Sequence, residues 1–138
     1  MTTEMPSAFT WTVRVYYEDT DAGGIVFYAN YLKFFERART EWLRAAGVSQ
    51  QDLLNQDGAI FVVKSTSVDY HAPARLDDVL NLTLSIEKLG RASVSFVQQA
   101  WCGETLLTSA SVKVGCVDAA TLRPRSLPDA TAAKMRAA

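Results

Sequence analysis

Residues 28–47, Y-A-N-Y-L-K-F-F-E-R-A-R-T-E-W-L-R-A-A-G, decide the fold. Tyr31, Phe35, Ala38, Trp42 and Ala46 recur every three or four positions, so they share one face of a helix that begins at about Tyr28. Lys33, Arg37, Glu41 and Arg44 fall mainly on the other face, where Arg37 and Glu41 have the spacing of an i,i+4 ion pair. Gly47 supplies a left-handed stop. A helix with one apolar stripe has to bury it against another layer, and the flanking sequence says which kind.

Upstream, T-W-T-V-R-V-Y-Y at 10–17 alternates Trp11, Val13, Val15 and Tyr17 against Thr10, Thr12, Arg14 and Tyr16, the period of a half-buried strand. Downstream, after a polar turn and a short apolar piece at Leu53–Leu54, strand-like sequence runs to about residue 118. Its clearest part is 80–87, where Leu80, Leu82, Leu84 and Ile86 point one way and Asn81, Thr83, Ser85 and Glu87 the other. Segments 60–70, 92–101 and 105–117 are further strands, joined by turns at P-A-R-L-D-D, L-G-R and C-G-E. Such short links imply antiparallel pairing. The expectation is an α+β fold: one long helix covering a face of a five-stranded antiparallel sheet, followed by an Ala-rich helical tail at 129–138.

The 138 residues form a single domain, 1–138, with a core of about 10–118 and a tail of 119–138. Fourteen Lys+Arg against fifteen Asp+Glu give a formal charge of -1, so no basic field favours nucleic acid. No run approaches the roughly 20 apolar residues of a membrane span, and M-T-T-E-M-P-S-A-F-T lacks a basic-then-apolar leader, which makes the cytoplasm the expected location. Cys102 and Cys116 lack C-x-x-C spacing and are expected to be buried free thiols.

Chemistry concentrates before the helix, in E-D-T-D-A-G-G-I-V-F-Y-A-N-Y at 18–31. Asp19 and Thr20 suit a turn or a helix cap. Asp21 precedes Gly23 and Gly24, which let backbone turn tightly and approach a ligand. Free amides near Tyr28, at the positive end of the helix, would stabilise a developing oxyanion. That pattern suits hydrolysis of an activated carbonyl, with a Gly-rich connector and a capping acid as the structural alternative. The lone D-x-D does not make a metal site. His71, the only histidine, has no ligand or nucleophile at useful spacing and is expected to be a structural or surface residue.

The run R-V-Y-Y-E-D-T-D-A-G-G-I-V-F-Y-A-N-Y-L-K-F-F-E-R-A-R-T-E-W-L-R, with V-D-Y-H-A-P-A-R-L-D-D-V-L further on, closely resembles the hotdog-fold thioesterases of the 4-hydroxybenzoyl-CoA type, including the acyl-CoA thioesterases associated with the Tol-Pal system. The resemblance covers most of residues 10–118. It implies a hotdog fold whose sheet wraps the helix, and subunits that pair into one continuous sheet as a homodimer and associate into a homotetramer. The family's catalytic carboxylate falls on Asp21 and its carbonyl-polarising amide on Tyr28, where many Tol-Pal-type members carry His and the hydroxybenzoyl type Tyr. Substrate contacts implied are Gly24 in the loop, Ile60, Phe61 and Val62 along the acyl pocket, and Lys88 and Arg91 for coenzyme A, with Arg75 as a third basic candidate that Asp77 or Asp78 would equally pair.

The resemblance thus implies an acyl-CoA thioesterase acting on an acyl-CoA or acyl-carrier-protein thioester, with no metal or organic cofactor, coenzyme A being part of the substrate. A non-catalytic acyl-thioester-binding protein and a hotdog hydratase are the alternatives. Tyr17, Phe27, Tyr28, Tyr31 and Phe61 either line an aromatic acyl pocket or, as expected for most of them, belong to the core.

Overall fold

Helix α1 spans Asn30–Ala45 in the structure, a computed structural model that describes residues 9–138. The N-terminal segment read for a leader, and the start of the domain, lie outside the described residues up to position 8. The chain passes through a turn at residues 28–29 before α1, two residues later than the apolar period suggests. Tyr31, Phe34, Phe35, Ala38, Trp42 and Leu43 are its buried face, and Ala46 is only half-buried. Gly47, at φ +89°, ends the helix.

Among the described residues five strands form one antiparallel sheet: β1 Phe9–Arg14, β2 Ala59–Tyr70, β3 Val79–Leu89, β4 Ser93–Cys102 and β5 Thr105–Asp118, in the order β1-β3-β4-β5-β2. The face under α1 carries Leu80, Leu82 and Leu84 of β3 and Val94 and Phe96 of β4, with Trp42 meeting Phe96 edge-on at 5.5 Å. Each large side chain so buried contributes about 1.5–3 kcal/mol. Gln98, fully buried on β4, donates through Nε2 to the Phe35 carbonyl at 3.0 Å and staples helix to sheet. A smaller cluster of Leu53, Ala59, Cys116, Leu127 and Ala132 sits beside it. There a short helix, α2 at Gln50–Asp52, runs into a wider turn at Leu53–Asp57, and the tail forms α3, Asp129–Ala137.

Several expectations need correction. The first strand stops at Arg14, Trp11 stays 38% exposed, and Tyr17 leaves the sheet for a 3-10 turn at Tyr17–Asp19. β1 is an edge strand, so its alternation is only half enforced by burial. Thr83 is buried rather than outward, between Thr10 and Gln99 on the neighbouring strands. Arg37 stacks over Phe34 at 5.9 Å, and Glu41 pairs instead with Arg44 at 2.8 Å. Both cysteines are free, Cys116 buried as expected and Cys102 only partly so.

Candidate active site

Two carboxylates two residues apart have different environments. Asp19 is buried; its Oδ2 accepts from the Tyr16 N–H at 2.8 Å and its Oδ1 from Asn30 Nδ2 at 2.9 Å. It is a structural clamp, as its sequence context suggested. Asp21 is exposed, and its Oδ1 accepts only the Gly23 N–H, at 2.8 Å. One carboxylate oxygen is left without a protein donor among the described residues, free to meet water or substrate.

The loop holding Asp21 is built from backbone. Asp21 N–H donates to the Ile25 carbonyl at 2.9 Å, Gly24 N–H to that of Asp21 at 3.0 Å, and Phe27 N–H to that of Asp19 at 3.0 Å. Gly24 sits at φ +81°, a conformation L-residues rarely adopt. The segment A-P-A-R-L-D-D then pins this loop to the sheet. Val26 N–H reaches the Ala74 carbonyl at 2.9 Å, and Ile25 bridges Arg75. Arg75 forms no ion pair with Asp77 or Asp78; its backbone N–H donates to Asp78 Oδ2 at 2.9 Å, closing the turn.

At the helix start the first amides are mostly spent. Asn30, Tyr31 and Leu32 donate three residues back, to Phe27, Tyr28 and Ala29. Among the described residues the N–H groups of Tyr28 and Ala29 have no acceptor. No side chain caps α1, so its positive end is open at that point. The carbonyl of Tyr28 accepts from Tyr70 Oη at 3.0 Å, and the Tyr70 ring meets Tyr28 edge-on at 6.0 Å, which fixes the peptide's orientation. Burial, and then the Tyr28 phenol, push the Tyr70 phenol above its ordinary range. Burial likewise raises Tyr31, partly offset by the Thr108 hydroxyl; neither of those hydroxyls completes a hydrogen bond of good geometry.

Tyr31 is core, but Tyr17, Phe27 and Tyr28 are 83%, 47% and 63% exposed, so these three aromatics lie at the surface instead of the interior. Of the strand candidates, Phe61 lines a cleft between α1 and β2 with Val63, which the sequence reading missed. Ile60 and Val62 alternate with them and point to the other face. Lys88 and Arg91 are exposed, Arg91 Nε donating to Ser126 Oγ at 3.1 Å. His71 does have a neighbour: its Nε2 lies 2.7 Å from Ser109 Oγ on β5. No carboxylate orients that ring by a hydrogen bond among the described residues, so the pair is not a triad.

Comparison with known proteins gives a consistent picture. The profile of the thioesterase superfamily matches residues 23–109. The acyl-CoA thioester hydrolase YbgC of Escherichia coli is 49% identical over 129 residues, 93% of this chain and 96% of that protein. The acyl-CoA thioesterase YbgC of Haemophilus influenzae is 44% identical over 124 residues, 90% and 91% of the two chains. Among solved structures, a probable thioesterase from Bartonella henselae superposes with a TM-score of 0.84 at 34% identity, covering 88% of this chain and all of that one.

Proposed function

The chain belongs to the thioesterase superfamily and has its hotdog fold, and from that premise we propose that it hydrolyses an acyl-CoA thioester to a free acid and coenzyme A. The single observation that carries the proposal is the pairing of an exposed, under-coordinated Asp21 carboxylate with an unused amide at Tyr28, held at the two ends of one backbone-locked loop. Close likeness to two proteins named as acyl-CoA thioester hydrolases supports it.

In the proposed reaction the thioester carbonyl oxygen lies against the Tyr28 N–H, which needs no reorganisation to receive the growing negative charge. Asp21 takes a proton from water as the water oxygen attacks the carbonyl carbon. Collapse of the tetrahedral intermediate breaks the carbon–sulfur bond and expels the coenzyme A thiolate, leaving the acid. Alternatively the Asp21 carboxylate attacks directly, expels the thiolate and is released from the resulting anhydride by water. A single turnover in oxygen-labelled water separates the routes, because only the anhydride can leave label in the Asp21 carboxylate. Polarisation by a backbone amide requires no metal ion, so activity is expected to survive dialysis against a chelator.

Gly24 leaves room for substrate, with nothing within 4 Å of where its Cβ would be. Phe61 supports an acyl channel along β2, with Ile60 and Val62 on the opposite side of the strand. Lys88 and Arg91 are proposed to meet coenzyme A phosphates, and a carrier-protein thioester is a second candidate substrate. β2 is a twelve-residue edge strand without proline, fit to pair with a second copy; a homodimer that assembles to a homotetramer in the cytoplasm completes the proposal. No helix among the described residues is long and apolar enough to cross a membrane.

The test is thiol release from a panel of short, long and aromatic acyl-CoAs and an acyl-carrier-protein thioester, alongside hydration of an enoyl-CoA. Turnover of at least one thioester without hydration supports the proposal. Tight binding with no thiol release across the panel overturns it in favour of a binding protein, and hydration without release in favour of a hydratase.

A further inference from the structure

We propose that Arg39 selects the acyl group, favouring chains that carry a carboxylate at their far end, within the cleft between α1 and β2. This inference rests on the thioesterase reading and deepens it by naming a substrate class. The cleft has two neighbouring parts, of about 380 Å³ and about 170 Å³, whose linings share Glu36, Arg39 and Val63. The lining of the larger part includes Leu32, one helical turn beyond Tyr28, and that of the smaller part includes Phe61, so the cleft lies along the helix from the amide proposed to hold the carbonyl.

Much of that cleft is apolar, with Phe35, Val63, Val112 and Phe96 among its walls, and a plain hydrocarbon would suffice to fill such a lining. Arg39 does not suit one. Its guanidinium has five N–H donors, and among the described residues the only acceptor they meet is Gln98 Oε1, at 2.9 Å. Gln98 is in turn fixed by the Phe35 carbonyl, so the planar fork is held in place with donors to spare. No carboxylate lies within ion-pair distance among the described residues. Glu36, the one acid lining the cleft among the described residues, directs Oε2 to the Thr40 hydroxyl at 2.6 Å, while Lys33 adds a second cation to the lining. Among the described residues, two cations against one carboxylate leave the lining positive. Burial disfavours the charged guanidinium, Glu36 only partly offsetting it, and a bound carboxylate would relieve that penalty with two parallel hydrogen bonds.

The guanidinium is tied through Gln98 to the carbonyl of Phe35, a residue that lies roughly 8 Å of helix rise from Asn30. An extended chain advances about 1.2 Å per bond, so the distance suits acyl groups of roughly six to ten carbons.

The experiment compares matched coenzyme A thioesters of six to ten carbons, one series ending in a carboxylate and the other in a methyl group, with wild type, Arg39→Met and Arg39→Lys. Wild type is expected to prefer the carboxylate series in kcat/KM by about tenfold to hundredfold. Arg39→Met should abolish that preference, read as the ratio of the two series within the variant, and Arg39→Lys should keep part of it. Equal or reversed preference in wild type overturns the inference even if neither variant folds, as does an unchanged ratio in Arg39→Met. Absence of thiol release from both series and from the wider panel counts against the thioesterase reading itself. Arg39 is then judged by thermal shift of wild type with free dicarboxylates against monocarboxylates of equal length: stabilisation confined to the dicarboxylates supports it, and none overturns it.

Discussion

Asn30 Nδ2 donates to Asp19 Oδ1 at 2.9 Å, and both side chains are buried, so the first residue of α1 is bolted to the turn that launches the Asp21 loop. Asn30→Ala leaves a buried carboxylate oxygen without its donor, and the expected cost is about 2 kcal/mol. Because the loop and the helix start then lose their shared anchor, turnover should fall as well. Chemical denaturation measures the first effect and steady-state hydrolysis below the melting transition the second; a variant unchanged in both contradicts the clamp.

Gly24 offers a cleaner probe of the loop. At φ +81° with open space around its absent Cβ, the cost of substitution is backbone strain alone. Gly24→Ala is expected to lose about 1 kcal/mol, and Gly24→Asn less, since Asn tolerates left-handed geometry better. Urea midpoints of the two variants should rank in that order.

The function proposed for Tyr28 resides in its backbone, and its side chain is mostly exposed. Tyr28→Phe should therefore keep turnover near the wild-type value. Tyr28→Pro removes the N–H while keeping the carbonyl that Tyr70 bonds, and proline is tolerated at a helix start. Its kcat should fall by about 10²–10³, the typical effect of losing one oxyanion donor. Comparable activity in both variants, with intact circular dichroism spectra, contradicts the assignment.

Asp118 holds the connection after β5: its Oδ1 accepts from the backbone of Thr121 and of Ala120, each at 2.9 Å. These amides, Thr121 first, lower its pKa below the ordinary 3.8. A depressed carboxyl stabilises the native state fully above that ordinary value and loses its contribution as the pH falls through the native one. The melting temperature of Asp118→Ala should accordingly lie below wild type at neutral pH, with the gap closing in acid below 3.8. A gap independent of pH contradicts this.

Much of the architecture was legible because burial enforces periodicity. Leu80, Leu82 and Leu84 alternate, and Phe35, Ala38 and Trp42 keep helical spacing, since each must reach one continuous core. Legibility fails where no neighbour enforces it. Tyr17 continues the alternation of β1 by chance, after the chain has left the sheet. Within the candidate site, the placing of Asp21 and Tyr28 on one loop was readable because they are near in sequence, and so was the structural part of Asp19. Arg39 with Gln98, and His71 with Ser109, were not: each pair joins positions far apart in sequence through sheet register or helix-to-sheet packing. Ile60, Phe61 and Val62 show the intermediate case, a correctly located strand whose facing residues, Phe61 and Val63, are fixed only by pairing with β5.

The central claim is that the Asp21 carboxylate carries out thioester hydrolysis, and Asp21→Asn tests it most directly. Asparagine keeps an acceptor for the Gly23 N–H, so the loop should hold its shape while the ionisable oxygen is lost. Thiol release from the best acyl-CoA substrate should drop by at least ~10²-fold in a protein with wild-type melting behaviour. Near-normal release from that folded variant would contradict the account.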